Sequence, residues 1–133
     1  MIVPDASAVA LLFADPHAEP RCLSAIEILR GDPEWVVPEH WRTEMLSVIR
    51  GLRMGGRIDD SSAENAVKWL AQLVVLTEPT APLLQRMWEL GDNLSSYDAG
   101  YVAVAETLDL TLVTADVRIA RSGVARCPLL VIS

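Results

Sequence analysis

Short apolar runs alternate along the chain with longer stretches in which apolar positions recur every three or four residues. The runs at 2–4, 35–37, 74–76, 110–114 and 129–132 are continuous, which predicts strands buried on both faces of a parallel sheet. Pro4 sits awkwardly in the first of them, because it has no amide hydrogen to give a ladder. Between the runs, helices are predicted over 6–14 and from Pro20 to Arg30, with Gly31 as the stop. Past Pro38 and Glu39, the residues Trp41, Met45, Val48, Ile49 and Leu52 share one helical face that ends at Gly55 and Gly56. Further helices are predicted over 62–73, 80–91 and 97–108. The last is built from small residues (Ala99, Gly100, Ala103, Ala105) that let it lie close to a sheet, and Ser95 with Asp98 makes a capping-box start. Five strands separated by helices, without repeats or a linker, predict one α/β domain over 1–133, three layers deep, with a mostly parallel sheet.

Composition narrows the field of functions. A hydrophobic content of 51% suits a compact fold. The formal charge of −7 counts against a general nucleic-acid binder, which draws affinity from a positive surface, but not against an enzyme whose acidic site holds cations. Cys22 and Cys127 have no metal-binding spacing and cannot build a disulfide framework. The first residues lack a basic leader, and no apolar run is long enough for a membrane span, so a cytoplasmic location is expected.

The candidate chemistry lies in four acids from four segments. Asp5 ends the first strand and Asp116 follows the fourth, so in a parallel sheet both project from the carboxyl edge, where ligands of open α/β sheets bind. Asp98 starts the helix that feeds the fourth strand, and Glu44 lies about one turn into the third helix, where it can be aimed at the same edge. Each aspartate alone is explained by its helix start, where Asp caps, and Glu44 alone by a solvated helix face. Four at one edge raise one another's pKa, and hard divalent cations with oxygen preference, Mg2+ or Mn2+, relieve that repulsion.

The stretches M-I-V-x-D-A-S-A, W-R-x-E, S-x-Y-D-A-x-Y-V-A-x-A-E and L-V-T-A-D-x-R-x-A together resemble a PIN-domain protein, most of all a VapC-type toxin of a type II toxin–antitoxin module. The resemblance covers nearly the whole chain. It implies a five-stranded sheet of order 3-2-1-4-5, a Mg2+- or Mn2+-dependent endoribonuclease, a VapB-type antitoxin partner and a homodimer. It carries the catalytic and metal-binding acids onto Asp5, Glu44, Asp98 and Asp116, with Ser7 and Thr114 as supporting hydroxyls. Three positions depart from the pattern: Pro4 replaces an aliphatic residue, Asp109 stands where a glycine often ends the helix, and Arg118 occupies the region of a further acid.

Two other classes stand beside the nuclease. A receiver-like phosphoacceptor also gathers acids around magnesium, but it needs a lysine at the end of its last strand, and the single lysine, Lys68, falls on a helix. A catalytically silent PIN fold that binds antitoxin or RNA is kept alive by Arg118. Arg42, Arg50, Arg53 and Arg57 form a stripe on the third helix that is either a solvated face or a contact for RNA phosphates or an acidic partner segment. His40, four residues before Glu44, is expected as a partly exposed residue at a helix start. Trp41 is the one tryptophan near enough to the acids for base stacking, and Trp69 and Trp88 are expected in the core or at a subunit contact.

Overall fold

In the computed structural model, which describes all of residues 1–133, five short strands alternate with helices. The strands are β1 (Ile2–Pro4), β2 (Val36–Pro38), β3 (Leu76–Glu78), β4 (Thr111–Thr114) and β5 (Leu129–Val131). The helices are α1 (Ala6–Ala10), α2 (Arg21–Gly31), α3 (Trp41–Met54), α4 (Asp60–Gln72), α5 (Leu84–Glu89), α6 (Ser96–Leu108) and α7 (Val117–Ser122). No helix is long and apolar enough to cross a membrane.

All pairing is parallel. β4 lies between β1 and β5, β2 pairs with β3, and the two ladders meet at one bridge, Ile2 to Trp35. The prolines explain why the junction stops there. Ile2 donates its amide to the Glu34 carbonyl at 3.1 Å, so amides on that side of β1 alternate, and the next one belongs to Pro4. On β2 the Glu39 amide turns outward to the Glu78 carbonyl at 3.0 Å, which leaves Pro38 facing β1. Both donors needed to extend the β1–β2 ladder are therefore missing, and the sheet is open along this seam toward its carboxyl edge. On the other side β1 stays zipped: the Asp5 amide reaches the Val113 carbonyl at 3.0 Å.

Helix α6 is the centre of the core. Residues Ala99 through Ala105 are buried, and the helix packs on β1, β2, β4 and α5. Its small side chains permit that close approach. Ser95 caps it by accepting the Asp98 amide at 3.1 Å, and Asp109 closes it in the left-handed conformation at φ 53°, which Asp tolerates better than most residues. Along α3, Trp41, Met45 and Ile49 are buried at the predicted spacing.

Four predicted elements shift. The helix expected over 6–14 ends at Ala10 and continues as a 3₁₀ turn over Leu11–Phe13. β3 begins at Leu76, not Val74, because its register is set by pairing with Val36–Pro38, and Val74 and Leu76 stay exposed at the sheet's edge. α4 starts two residues early, on the Asp59 cap, whose carboxylate accepts the Ser62 amide at 2.7 Å. The helix expected over 80–91 is broken into a 3₁₀ turn holding Pro82, the short α5, and a second 3₁₀ turn.

Candidate functional site

β1 and β4 end side by side, and a hydrogen-bonded group ties the two ends together. Asp5 caps α1: its Oδ1 accepts the Ala8 amide at 2.9 Å and the Ser7 hydroxyl at 2.6 Å, and its Oδ2 accepts the Thr114 hydroxyl. Ser7 Oγ accepts the Ala115 amide at 2.9 Å, and Thr114 Oγ1 accepts the Asp116 amide at 3.0 Å. The supporting hydroxyls expected at Ser7 and Thr114 are thus the pins of this corner. With Asp5 only 2% exposed, burial outweighs its three donors and pushes the carboxyl up to about 6, with the charge of Asp98 adding to the rise.

Asp98 stands on the first turn of α6, half-buried. Burial raises its pKa, Ser95 lowers it, and the charges of Asp116 and Glu44 raise it again. Glu44, on the first turn of α3, accepts the Tyr101 hydroxyl at 2.8 Å on Oε1. Tyr101 is fully buried, and burial followed by the Glu44 charge drives its phenol far upward, so it acts as a fixed donor. Asp116 caps α7 and is met by Arg118, which donates its amide at 2.9 Å and its guanidinium at 2.8 Å and 3.0 Å. That guanidinium holds the Asp116 carboxyl below its usual range.

The four acids share one electrostatic field, since Asp98 is acted on by Asp116 and Glu44 and acts on Asp5. No three carboxylate, histidine or cysteine groups converge closely enough to cage an ion by themselves. The donor set is all oxygen and crowded with negative charge, which matches the preference of Mg2+ or Mn2+ for a few carboxylates plus water. The residues present therefore fit such an ion, with Asp116 engaged by Arg118 in this arrangement.

Several sequence expectations change. Trp41 is fully buried and meets Trp35 edge-on at 6.4 Å, so it is a core residue and cannot stack on a base. Arg42 leaves the basic stripe: its guanidinium donates to the carbonyls of Leu70 and Leu73, closing the end of α4. Trp88 is 83% exposed, which removes the core from its two expected places and keeps the subunit contact. His40 is a partly exposed helix-start residue as expected, but both its ring nitrogens are buried. The roles of Tyr101, His40 and Gly100 escaped sequence reasoning. The signal lay in two pairs spaced i, i+4, His40 with Glu44 and Tyr97 with Tyr101, joined across α3 and α6 by the hydrogen bond from Tyr101 to Glu44.

Comparison with known proteins agrees with this geometry. Residues 2–124 match the PIN domain family. The chain is 41% identical over 133 residues to a VapC ribonuclease of Mycobacterium bovis and to ribonuclease VapC9 of Mycobacterium tuberculosis, covering 99% of this chain and 98% of each relative. It is 33% identical over 121 residues to ribonuclease VapC3 of M. tuberculosis, covering 91% of this chain and 86% of that protein. Two solved structures share the fold. M. tuberculosis VapC20, described as a sarcin-ricin loop cleaving toxin, superposes with a TM-score of 0.66 at 22% identity over 92% of this chain and 95% of that one. PAE2754 of Pyrobaculum aerophilum gives 0.67 at 23% identity over 96% and 81%. With the family match over residues 2–124 and the end-to-end similarity in agreement with the α/β fold, the chain belongs to the VapC-type PIN-domain family.

Proposed function

We propose that this chain is the ribonuclease of a VapBC-type toxin–antitoxin module, hydrolysing RNA phosphodiester bonds with Mg2+ or Mn2+ at Asp5, Glu44, Asp98 and Asp116. The observation that carries the reading is Asp5, a carboxylate only 2% exposed at the joined ends of β1 and β4, with both oxygens fixed by Ala8, Ser7 and Thr114 and its charge coupled to that of Asp98. A position of that kind is made for a cation. The relatives that are 33% to 41% identical are named as ribonucleases, which supports the substrate class.

Asp5 and Asp98 would hold the ion directly, with Glu44 and Asp116 reaching it directly or through water. Such an ion supplies Lewis acidity, easing deprotonation of a water and neutralising charge on the phosphoryl group. The chain's part is to orient. Ser7, Thr114 and the Ala8 amide lock both Asp5 oxygens, and the Tyr101 hydroxyl holds one oxygen of Glu44. Arg118, with its side chain 83% exposed beside Asp116, can turn to a phosphate of the RNA, which it would grip in two-toothed fashion. The same contact supports a VapB-type antitoxin that inhibits with a basic side chain, since a guanidinium already fits on Asp116. A homodimer and a cytoplasmic location complete the proposal.

A silent, binding-only PIN fold is the second reading, favoured by the neutralisation of Asp116 by Arg118. Incubating purified protein with RNA, Mn2+ and a chelator control separates the two. Cleavage that the chelator stops, and that Asp5→Asn and Asp98→Asn abolish with their melting cooperative, is expected. Intact RNA under all conditions would leave the binding module.

A further inference from the structure

His40 immediately precedes α3 and lies against α6. Its ring meets Tyr97 edge-on at 5.2 Å and Tyr101 edge-on at 5.3 Å. Between these two rings α6 carries Gly100, and a Cβ there would stand 2.6 Å from His40 Nε2. Gly100 has ordinary helical backbone, so the space for the imidazole, not a conformational need, explains a glycine in the middle of a buried helix, where it is unfavourable relative to alanine. Nδ1 and Nε2 are both buried without a hydrogen-bond partner. Such atoms are rare and call for a reason. Nε2 lies beside Gly100, 2.6 Å from where a Cβ would stand. Nδ1 faces Glu44 Oε1 at 3.5 Å, the oxygen that takes the Tyr101 hydroxyl at 2.8 Å. A shift of a few tenths of an ångström makes that separation a hydrogen bond, the kind of tightening seen when an open site takes up its ligand.

We infer that His40 is a positioning residue for Glu44: seated in the gap left by Gly100 and braced by Tyr97 and Tyr101, its Nδ1–H and the Tyr101 hydroxyl together hold one carboxylate oxygen and leave the other for the cleft. The tautomer follows from the surroundings, since a proton on Nε2 would point into Gly100 with nothing to accept it, while one on Nδ1 points at a carboxylate. The inference rests on the metal-dependent nuclease reading above. A histidine held only for packing would have the same ring contacts but no need of a donor at Nδ1, and that difference can be measured.

The test compares wild type with His40→Ala, His40→Asn, His40→Gln and Gly100→Ala in three measurements: thermal melting, calorimetric titration with Mn2+ alone, and kcat and KM on a fluorogenic RNA oligonucleotide. Loss of an outer partner of a metal-binding side chain is worth roughly tenfold or more, so His40→Ala should weaken Mn2+ binding and lower kcat by about that factor with KM little changed. Asn, whose amide nitrogen stands close to the Nδ1 position, should restore most of the loss, and Gln should not. Gly100→Ala should imitate His40→Ala by displacing the ring. Asn performing no better than Gln or Ala, or His40→Ala keeping wild-type Mn2+ affinity and kcat, would overturn the inference. If His40→Ala fails to fold, Asn against Gln decides it. Wild-type protein that binds Mn2+ no better than Asp5→Asn would overturn the metal reading, and the inference with it.

Discussion

Asp5 shows at the level of one side chain how a buried charge opposes stability. Burial raises its carboxyl to about 6 from an ordinary 3.8, against the pull of Ser7, Thr114 and Ala8. Between those two values the folded chain keeps a proton that the unfolded chain has released, so this group's contribution to stability is full below the lower value and is lost as pH rises through the higher one. In metal-free protein the ionised group then costs about 3 kcal/mol. Asp5→Asn removes the charge and keeps an acceptor for Ala8 and Ser7. At about pH 8 without divalent ions it should stabilise the fold by ~2 kcal/mol, and much less near pH 4, in urea titrations at the two pH values. An equal effect at both, or a loss at the higher pH, would show that the charge is not strained. The acid itself was legible because a strand end in a parallel sheet has a known fate. The contacts of Tyr101, His40 and Arg118 were not, because each depends on a partner delivered by tertiary packing or by a local turn that hydropathy does not report.

At the level of elements, patterns that are satisfied within one helix were read well, and those that depend on a neighbour were not. The apolar face of α3 and the capped start of α6 came through within a residue. The run at 74–76 misled because an edge strand needs no burial, and its pairing partner, β2, chose 76–78 instead. Arg42 misled in the opposite sense. It sits in step with Arg50 and Arg53 along α3, yet the packing of α3 on α4 brings it to the carbonyls of Leu70 and Leu73, where a cation also complements the helix dipole. Two hydrogen bonds from a charged donor are worth about 2 kcal/mol in this setting. Arg42→Ala should lower stability by that amount in urea titration while RNA affinity and its salt dependence stay as in wild type. A variant of undiminished stability would mean that α4 ends without help from α3.

For the molecule as a whole, the alternation of strands and helices was enough to read an α/β fold with a parallel sheet, whereas the opening between β1 and β2 was hidden in two prolines whose side of the strand only the register reveals. Charge is distributed at the same scale. A chain of net −7 keeps Arg50, Arg53, Arg57 and Lys68 exposed around the far end of α3 and the face of α4, with Arg53 making one loose contact to Asp60 at 3.8 Å. Arg50 lies six residues along α3 from Glu44, a rise of about 9 Å at 1.5 Å per residue, so a strand of RNA entering the acidic corner can lay neighbouring phosphates across it. Each phosphate neutralised on a single strand releases counterions and adds about 0.7 to the slope of log K against log salt. Replacing Arg50 and Arg53 together by Glu should therefore lower that slope by about 1 to 2 units and weaken RNA binding at low salt, with melting unchanged because both side chains are exposed. Binding measured by fluorescence anisotropy across a salt series gives the slope directly. If it is unaltered while affinity for a VapB-type antitoxin falls, the stripe serves the protein partner and the RNA path runs elsewhere along the edge of the sheet.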